Sequence, residues 1–451
     1  MSNPGEADPT PVTSVRQLAE WFAAGGKPRA DWRIGTEHEK FGFRRDTPGL
    51  PAPAYEPRGI RALLEAMSAR QGWSPILDRG NPIGLKRDGA SISLEPGGQL
   101  ELSGAAVADL HATKRELTTH VREVHEAAAE LDLGFALLGF HPVARRADMP
   151  WMPKGRYAIM REYMPKVGSL GLDMMLRTST VQANLDYGDE ADMVEKLRVS
   201  LALQPVATAL FANSPFTEGR PNGMLSARSH VWTDTDGART GIPAVAFEPG
   251  FGFERFCDWL LDVPMYFVMR DGRWLDAAGR SFRDFMAGRL DILPGERATM
   301  GDWADHVTTA FTEVRLKRFL EMRGMDAGSP AMLVAAPALW VGLIYDDAAQ
   351  KAAAALVRDW GVEEIRALRA AVPRTALATP FRGRPLRDGL AREVVAIARD
   401  GLKARGLGEE VYLAPLDEIV ESGLTQAERW LHLYERAWGG DAAQALLAAE
   451  I

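Results

Sequence analysis

Near its N-terminus the chain reads Arg33-Ile34-Gly35-Thr36-Glu37-His38-Glu39-Lys40-Phe41-Gly42-Phe43. If this run forms a β-strand, its period of two places Glu37 and Glu39 on one face, and Phe41 and Phe43 continue that face. Two carboxylates held side by side suit a hard cation such as Mg²⁺, which prefers oxygen ligands. A solvated or salt-bridged edge strand would show the same Glu-x-Glu pattern, so this stretch alone leaves both interpretations open.

A second acidic stretch follows between Ser91 and Ser103. Two short alternating runs are separated there by Pro-Gly-Gly, which predicts a strand, a turn and a second strand. Glu95, Gln99 and Glu101 supply polar groups to one face of this segment. Together the two acidic stretches predict an α+β fold with an antiparallel sheet whose concave side is lined with oxygen ligands.

Two later stretches extend the same pattern. Residues Thr178 to Tyr187 predict a strand with Gln182 and Asn184 on its polar face. Residues Lys317 to Met325 predict another strand, and Glu321 lies on one side of it together with an arginine. Both strands are therefore expected to add polar groups to the floor of the same site.

Composition and charge exclude several classes of protein. Of the 451 residues, 46% are hydrophobic and 25% are charged, which is typical of a globular protein. The 53 basic and 61 acidic residues give a formal net charge of −8, and without a basic tail a nucleic-acid partner is not expected. The longest apolar run, Leu333 to Tyr345, is too short to cross a bilayer, so no membrane partner is expected either.

The same features lead to an expected location. The N-terminus lacks the charged and then apolar pattern of a signal peptide. Cys257 is the only cysteine, so these 451 residues cannot form an internal disulfide, and a reducing compartment is the simplest interpretation. We therefore expect a cytoplasmic protein.

The pattern along the chain predicts a single domain behind a short tail. Residues 1–14 are expected to form a disordered tail, and residues 15–451 one catalytic domain. Val107 to Leu131 predicts a long amphipathic helix packed on the sheet, and Phe135 to Val143 a buried strand. From about residue 346 to the end, the alanine-rich sequence predicts a C-terminal helical layer.

Basic residues are concentrated between positions 145 and 177, in an irregular segment that contains Lys154, Arg156 and Arg177. In an acidic protein such a segment, broken by Pro and Gly, fits a phosphate-binding lid. A mobile solvated loop is the alternative. The chain lacks the P-loop, dinucleotide-binding, zinc-protease and serine-hydrolase motifs, which favours metal-assisted phosphoryl transfer over covalent catalysis by the protein.

Six motifs occur in order along the chain: Gly-Thr-Glu-His-Glu-Lys-Phe-Gly-Phe (35–43), Ser-Leu-Glu-Pro-Gly-Gly-Gln-Leu-Glu-Leu-Ser-Gly (93–104), Met-Pro-Lys-Val-Gly-Ser-Leu-Gly-Leu-Asp-Met-Met (164–175), Arg-Thr-Ser-Thr-Val-Gln-Ala-Asn-Leu-Asp (177–186), Ala-Asn-Ser-Pro-Phe-Thr-Glu-Gly-Arg-Pro-Asn-Gly (212–223) and Phe-Leu-Glu-Met-Arg-Gly (319–324). Together they resemble the plant-type glutamate–cysteine ligases, from about residue 15 to about residue 440. The resemblance implies a glutamine-synthetase-like antiparallel sheet that forms a bowl, with helices packed behind it. It also implies the first committed step of glutathione synthesis.

The implied reaction uses ATP to join L-glutamate and L-cysteine through a γ-glutamyl phosphate. For that reaction, the candidate residues are assigned to four groups by role. The predicted ligands for two or three Mg²⁺ ions are Glu37, Glu39, Glu95, Glu101 and Glu321. Arg228, Arg315 and Arg323 are predicted to stabilise the transferred phosphoryl group. The amino-acid sites are assigned to Gln99, Arg177, Thr180, Gln182 and Asn184, and the nucleotide to Lys154 and Arg156.

The sequence departs from the family pattern in two ways. The plant enzymes carry cysteines for redox-switching disulfides, whereas this chain has Ser179 in the comparable Arg-Thr-x-Thr motif and only Cys257 elsewhere. A disulfide switch of that kind is not expected. The organellar transit segment of the plant enzymes is also missing, which fits a bacterial-style cytoplasmic enzyme.

Several alternatives stay open on sequence grounds. Each candidate arginine could instead form a salt bridge with one of the acidic residues. The chain could also be a γ-glutamyl ligase for another amine, or a non-catalytic protein that binds metal or nucleotide. Feedback inhibition by glutathione is a further expectation from the family resemblance.

Overall fold

The computed structural model describes residues 8–451, and a nine-stranded antiparallel sheet lies at its centre. Short two-stranded pairs accompany it. In chain order the strands are β1 (Ile34–Arg44), β2 (Ser74–Asp78), β3 (Asn81–Arg87), β4 (Ala90–Leu94), β5 (Leu100–Ser103), β6 (Leu133–Ala136), β7 (Thr180–Leu185), β8 (Phe216–Thr217), β9 (Arg220–Pro221), β10 (Thr240–Gly241), β11 (Phe267–Arg270), β12 (Arg273–Asp276), β13 (Phe311–Thr312), β14 (Val314–Leu316), β15 (Leu320–Asp326), β16 (Pro380–Phe381) and β17 (Arg384–Pro385).

The strand order of the central sheet is β14-β15-β7-β1-β5-β4-β3-β2, and β6 pairs with the far end of β1. The first acidic strand, β1, therefore lies between β7 and β5. Its register sets Glu37 opposite Gln182 and Glu39 opposite Glu101. Because side chains alternate between the two faces of a strand, the polar residues of these neighbouring strands lie on one side of the sheet.

Helices surround the sheet and form the C-terminal layer. In chain order they are α1 (Val15–Ala23), α2 (Ile60–Gln71), α3 (Leu110–Ala129), α4 (Gly155–Val167), α5 (Gly171–Arg177), α6 (Glu190–Leu210), α7 (Ala227–Val231), α8 (Phe253–Leu261), α9 (Phe282–Met286), α10 (Met300–Val307), α11 (Pro330–Ile344), α12 (Asp347–Val357), α13 (Val362–Thr375), α14 (Leu390–Arg405), α15 (Ala414–Ser422), α16 (Gln426–Arg436) and α17 (Gln444–Ala448).

The helices that cover the sheet bury apolar stripes against it. Asp109 caps α3 by accepting a hydrogen bond from the backbone of Ala112, and the buried residues of this helix include Leu110, Leu117 and Val124. Helix α11 is buried along almost its whole length and packs against β1 and β7, while α6 packs against β15. The predicted α+β fold with a large antiparallel sheet and helices behind it is confirmed.

Three local predictions differ from the structure. Residues 8–14 belong to the folded body, because the backbone of Val12 donates to Ala298 and Pro11 forms a bridge with Thr299. The predicted disordered tail therefore does not extend over residues 8–14, and residues 1–7 lie outside the described residues. The strand predicted at 135–143 overlaps β6 only at its first two residues, because β6 runs from Leu133 to Ala136.

The third difference concerns the basic segment at 145–177, which is largely helical rather than an irregular loop. Helices α4 and α5 form it, and methionine and aromatic side chains such as Met164 and Tyr157 pack it against Tyr266. Tertiary burial thus stabilises a helix although its sequence contains Gly155 and Pro165, residues that disfavour helices.

Among the described residues no single helix is long and apolar enough to cross a membrane. The bent pair formed by α11 and α12, with an angle of 89° between them, meets the length and composition criteria only when the two are taken together.

Candidate active site

A cleft that is open to solvent lies over the polar face of the sheet. Strands β1, β5, β7, β14 and β15 form its floor, and α4, α7 and the β11 and β13 strands contribute its walls. Ten of the predicted site residues line it: Glu39, Glu95, Gln99, Glu101, Arg156, Thr180, Gln182, Arg228, Arg315 and Arg323. The other five, Glu37, Lys154, Arg177, Asn184 and Glu321, lie outside its lining.

Three carboxylates are concentrated at one end of the cleft, which we call the acidic end: Glu39, Glu95 and Glu101. Glu39 and Glu101 face each other across β1 and β5. Glu101 accepts hydrogen bonds from the hydroxyls of Ser93 (2.7 Å) and Ser103 (3.3 Å). Burial raises the pKa of Glu39 well above its usual range, and the negative charges of Glu95 and Glu101 raise it further.

These three carboxylates fit a divalent cation. Like charges directly opposite each other on neighbouring strands destabilise a sheet, and a hard cation with oxygen ligands removes that repulsion. The described part of the chain contains no group of three or more acidic, histidine or cysteine side chains already arranged as a metal site. The three carboxylate side chains are the kind of oxygen donors that Mg²⁺ prefers.

Helix α4 begins beside the acidic end. Arg156 and Tyr157 line the cleft there, and the Tyr157 hydroxyl donates to the backbone oxygen of Leu94 at 2.7 Å. Lys154, just before the helix, is buried, and this burial lowers the pKa of its ammonium to about 7, although Glu95 counteracts the shift. The segment predicted to form a phosphate-binding lid thus lies against the acidic end as the start of a packed helix.

The opposite, basic end of the floor is organised around Glu321, which is fully buried. Arg315 donates to both of its oxygens at 2.8 Å, Arg323 donates at 2.9 Å, and the Lys317 ammonium lies 3.0 Å away. Burial alone would raise the pKa of Glu321, yet Arg315, Lys317 and Arg323 hold it well below its usual range.

Glu321 is therefore the anion of a buried ion-pair cluster, not a carboxylate that faces the cleft. Its predicted role as a magnesium ligand does not match this placement, because both of its oxygens already hold cations. The salt-bridge alternative describes Arg315 and Arg323 correctly, although both also line the cleft. Three cations on one carboxylate leave this end with a surplus of positive charge.

Arg323 owes its position to a bulge in β15. The register with β7 shifts between Met322 and Met325, and Arg323 lies within that irregularity. A bulge redirects a side chain and breaks the ladder locally. As a result Arg323 reaches Gln182, whose side-chain oxygen accepts its hydrogen bond at 2.8 Å.

Arg228 is held from a different part of the chain. Ser226 caps α7, and the hydroxyl of Ser214 accepts a hydrogen bond from the Arg228 backbone. Buried Asp326 accepts from both hydroxyls, at 2.6 Å from Ser214 and 2.8 Å from Ser226. The Arg228 side chain donates through Nη2 to the backbone oxygen of Arg323 at 2.7 Å.

The predicted amino-acid-binding residues divide into two groups. Gln99, Thr180 and Gln182 line the cleft, and Gln99 is fixed by a 2.8 Å hydrogen bond from its Nε2 to the backbone oxygen of Thr178. Asn184 instead donates to Glu37 at 2.8 Å. Both lie on the same sheet face as the lining residues, but neither is part of the cleft lining.

Arg177 is the clearest misplacement among these predictions. Its guanidinium pairs with Asp173 within α5 and with Glu218 at 3.0 Å, and it donates to the backbone oxygen of Ala144. These contacts hold the Arg177 side chain against neighbouring loops, and Arg177 is not part of the cleft lining although other residues of α5 are. Its predicted role in substrate binding is therefore not supported by its placement.

Sequence reasoning missed most of the cleft walls. They are largely aromatic and methionine side chains from distant segments: Tyr157, Met160, Met174, Met175, Trp232, Tyr266, Phe267 and Phe311. Trp232 could have been recognised as a site residue, because it lies close to arginines in a long connecting segment. Tyr266 directly precedes β11 and Phe311 lies in β13, and neither short segment has a local pattern that marks it as part of a site.

The cleft has a carboxylate end that can hold a cation together with phosphates, and a basic end that can hold carboxylate or phosphoryl groups. Its described lining contains no cysteine or serine side chain. This combination fits the metal-assisted phosphoryl transfer that the sequence predicts.

The chain belongs to glutamate–cysteine ligase family 2, whose family model matches residues 33–448. Glutamate–cysteine ligase B, chloroplastic, of Oryza sativa subsp. japonica is 52% identical over 428 residues, which cover 95% of this chain and 85% of that protein. The chloroplastic glutamate–cysteine ligase of Arabidopsis thaliana is 52% identical over 94% of this chain and 80% of that protein. The predicted family and the predicted activity, in the first step of glutathione synthesis, are confirmed.

A solved structure shares the fold. The glutamate–cysteine ligase of Francisella tularensis, determined in complex with AMP, matches with a TM-score of 0.56 at 12% identity, over 94% of this chain and 88% of that one. At this identity the match supports the fold alone.

The expected cytoplasmic location is contradicted by these comparisons. The rice and Arabidopsis relatives, like those of Medicago truncatula and Nicotiana tabacum, are all named as chloroplastic proteins. Cysteine content and the character of the N-terminus were therefore insufficient grounds for that prediction.

Proposed function

We propose that the cleft joins the γ-carboxylate of L-glutamate to the amine of L-cysteine through a γ-glutamyl phosphate, with ATP as the phosphoryl donor. The observation that carries the proposal is the separation of charge along one face of the sheet. Glu39, Glu95 and Glu101 lie at one end, and the guanidinium groups of Arg315 and Arg323 border the other. Reactions of this type depend on positioning and on neutralising charge more than on a protein nucleophile.

Mg²⁺ belongs at the acidic end in this proposal. Glu39, Glu95 and Glu101 would hold it, since these three carboxylates line the cleft together. Bound there, the ion would neutralise phosphate charge and polarise the phosphoryl group. Glu37 and Glu321 support neighbouring side chains instead, Glu37 through Asn184 and Glu321 through its cluster. Two or three ions remain the expected number.

The reaction consists of two bond exchanges. In the first, a γ-carboxylate oxygen of glutamate bonds to the γ-phosphorus of ATP while the bond to the β-phosphate oxygen breaks, which releases ADP. In the second, the cysteine nitrogen bonds to the γ-carbonyl carbon, loses a proton, and phosphate leaves with the carboxylate oxygen. Arg315 and Arg323 would stabilise the phosphoryl oxygens, because guanidinium groups donate several hydrogen bonds in a fixed plane.

The remaining lining residues position the substrates. Arg156 would supply positive charge toward the nucleotide phosphates from the cleft lining, and Lys154, the N-cap residue of α4, would do so from just outside that lining. Gln99, Thr180 and Gln182 present polar groups to the amino acids from the floor of the cleft. Feedback inhibition by glutathione belongs to the same proposal, because glutathione contains the γ-glutamylcysteine unit that these groups would bind.

The proposal is tested by ADP release with glutamate and a panel of amines. Cysteine should be preferred, another amine should win if the chain is a different γ-glutamyl ligase, and no amine should give ADP if the protein is non-catalytic. Glutamate labelled with ¹⁸O in its γ-carboxylate tests the intermediate. One labelled oxygen should appear in the released phosphate, and unlabelled phosphate would refute the acyl phosphate.

A further inference from the structure

The first turn of α4 has no cap from its own segment of the chain. The helix begins at Gly155, and Lys154, which precedes it, makes no side-chain capping hydrogen bond. The first four backbone N–H groups of an α-helix have no partner within the helix. Hydrogen bonds to these groups are therefore made by atoms outside α4.

Asp78 supplies one of these hydrogen bonds from 77 positions away. The backbone N–H of Gly155 donates to Oδ2 of Asp78 at 2.8 Å. Asp78 is the last residue of β2 and pairs with Asn81, the first residue of β3. A carboxylate that accepts from the start of a helix, and that also interacts favourably with the helix dipole, is what an N-cap aspartate provides. Asp78 thus caps α4 although it belongs to a different element.

The turn between β2 and β3 fixes the position of Asp78. It consists of Arg79 and Gly80, whose φ angles are 50° and 82°. Two positive φ values are characteristic of the type I′ turn, whose twist matches that of the paired strands. Strand β3 also pairs with β4 inside the central sheet. The Asp78 carboxylate is therefore held at the end of a short hairpin that belongs to the sheet.

Gly155 lies in a narrow space between α4 and two other elements. A Cβ atom at this position would lie 3.2 Å from Cδ1 of Trp274 in β12 and 3.6 Å from Oδ2 of Asp78. Because glycine has no side chain, both residues can approach the start of the helix. The same turn is also attached to β4, since the Tyr157 hydroxyl donates to the backbone oxygen of Leu94 at 2.7 Å. The first turn of α4 is therefore fixed by the β2–β3 hairpin and by β4.

This turn carries the positive charge that the proposed function assigns to the nucleotide. Arg156 lines the cleft, and Lys154 lies just outside that lining. These two residues flank Gly155, whose N–H Asp78 holds. A displacement of the first turn would therefore move both cationic side chains together.

We propose that Asp78 is a positioning residue for the nucleotide, which acts through the first turn of α4 on Lys154 and Arg156. This inference rests on the proposed function, in which those two side chains face the nucleotide phosphates. Without the hydrogen bond from Gly155, the first turn adopts its binding conformation less often, and the apparent affinity falls with that fraction. The effect is specific for ATP, because the residues proposed to contact the amino acids lie outside α4.

The test compares Asp78→Ala, which removes the acceptor, with Asp78→Asn, which keeps a neutral acceptor oxygen. Asp88→Asn is the control, because Asp88 is exposed in the turn of the next hairpin and asparagine tolerates its φ of 49°. For each protein, kcat and the KM values of ATP, glutamate and cysteine are measured with excess Mg²⁺. Calorimetric titration with ADP and Mg²⁺ gives the nucleotide Kd without turnover. Hydrogen exchange of a peptide covering residues 154–160 reports on the first turn.

Asp78→Ala should raise the KM of ATP and the Kd of ADP about tenfold, the effect of losing one capping hydrogen bond. The kcat and the KM values of both amino acids should change less than about threefold, because saturating ATP restores the bound conformation of the turn. Residues 154–160 should exchange faster in Asp78→Ala. Asp78→Asn and Asp88→Asn should resemble the wild type in every measurement.

Equal changes in the KM values of ATP and the amino acids, or a fall in kcat alone, would overturn the inference, because they would indicate a general structural role. An unchanged KM of ATP in Asp78→Ala would overturn it as well. If Asp78→Asn were as impaired as Asp78→Ala, the charge of Asp78 and not its hydrogen bond would matter, and the inference would be wrong. Failure of the proposed function would look different, since the wild-type protein would then release no ADP with glutamate and cysteine, while the ADP titration would still compare the variants.

Discussion

Replacing Glu321 with glutamine should destabilise the fold as well as the reaction. Glu321 is completely buried, and four contacts from Arg315, Lys317 and Arg323 converge on its two oxygens. Glutamine keeps one acceptor oxygen but turns an NH₂ group toward cations. About half of the contacts should be lost, and each charged hydrogen bond is worth about 1.5–3 kcal/mol.

The expected loss is therefore about 3–5 kcal/mol of unfolding free energy, the range typical of removing one partner from a buried ion pair. Urea unfolding followed by circular dichroism measures it. Glu126→Gln is the matched control, because Glu126 forms only an exposed pair with Arg122 at 3.2 Å. That variant should unfold almost like the wild type, since exposed ion pairs contribute little.

A second substitution sharpens this test. Removing Lys317 in the Glu321→Gln background, as Lys317→Met, takes away one of the uncompensated cations and should restore part of the lost stability. If Glu321→Gln unfolds at the wild-type urea concentration and loses only Mg²⁺ affinity, the ion-pair role is wrong. Glu321 would then be a magnesium ligand after all.

Three further predictions concern the acidic end, the single cysteine and a buried histidine. Glu101→Gln should lower the rate at least 100-fold with an unchanged unfolding curve, because it removes a charge from the proposed Mg²⁺ ligands; turnover within about threefold of the wild type would refute that role. Cys257 is buried and burial raises the pKa of its thiol, so activity should be equal in dithiothreitol and oxidised glutathione; a reversible difference that disappears in Cys257→Ser would make this cysteine regulatory. Burial lowers the pKa of His306 from 6.5 to about 3, so below pH 6.5 the unfolded chain binds a proton that the folded chain does not. Stability should therefore fall between pH 7 and 5 by about 2 kcal/mol more in the wild type than in His306→Phe, and parallel profiles would show that His306 is protonated in the folded state.

The sequence by itself determined which residues share a face of the sheet. Alternation along β1, β5 and β7 is a local property of the backbone, so Glu39, Glu101 and Gln182 could be assigned to one polar face before any contact was known. The long helix α3 was also predictable, because an apolar stripe with helical spacing and a capping Asp109 are both local signals.

Only the tertiary structure decided which of those residues meet the cleft. Glu37 and Glu39 lie two positions apart on one strand, yet Glu39 lines the cleft and Glu37 contacts Asn184. Whether each side chain reaches the cleft depends on the neighbouring strands and on α4, which pack around it. The alternation of residues within one segment carries no information about those contacts.

The placement of Glu321 differs from its predicted role for the same reason. The pairing of β14 with β15 brings Arg315 opposite Glu321. The side chain of Arg323 is redirected by a bulge in the pairing with β7. The aromatic wall from Tyr266 and Phe311 likewise comes from segments distant from the acidic strands. Local periodicity fixes the direction of a side chain, whereas its charge partners and solvent exposure come from long-range contacts that exist only in the folded chain.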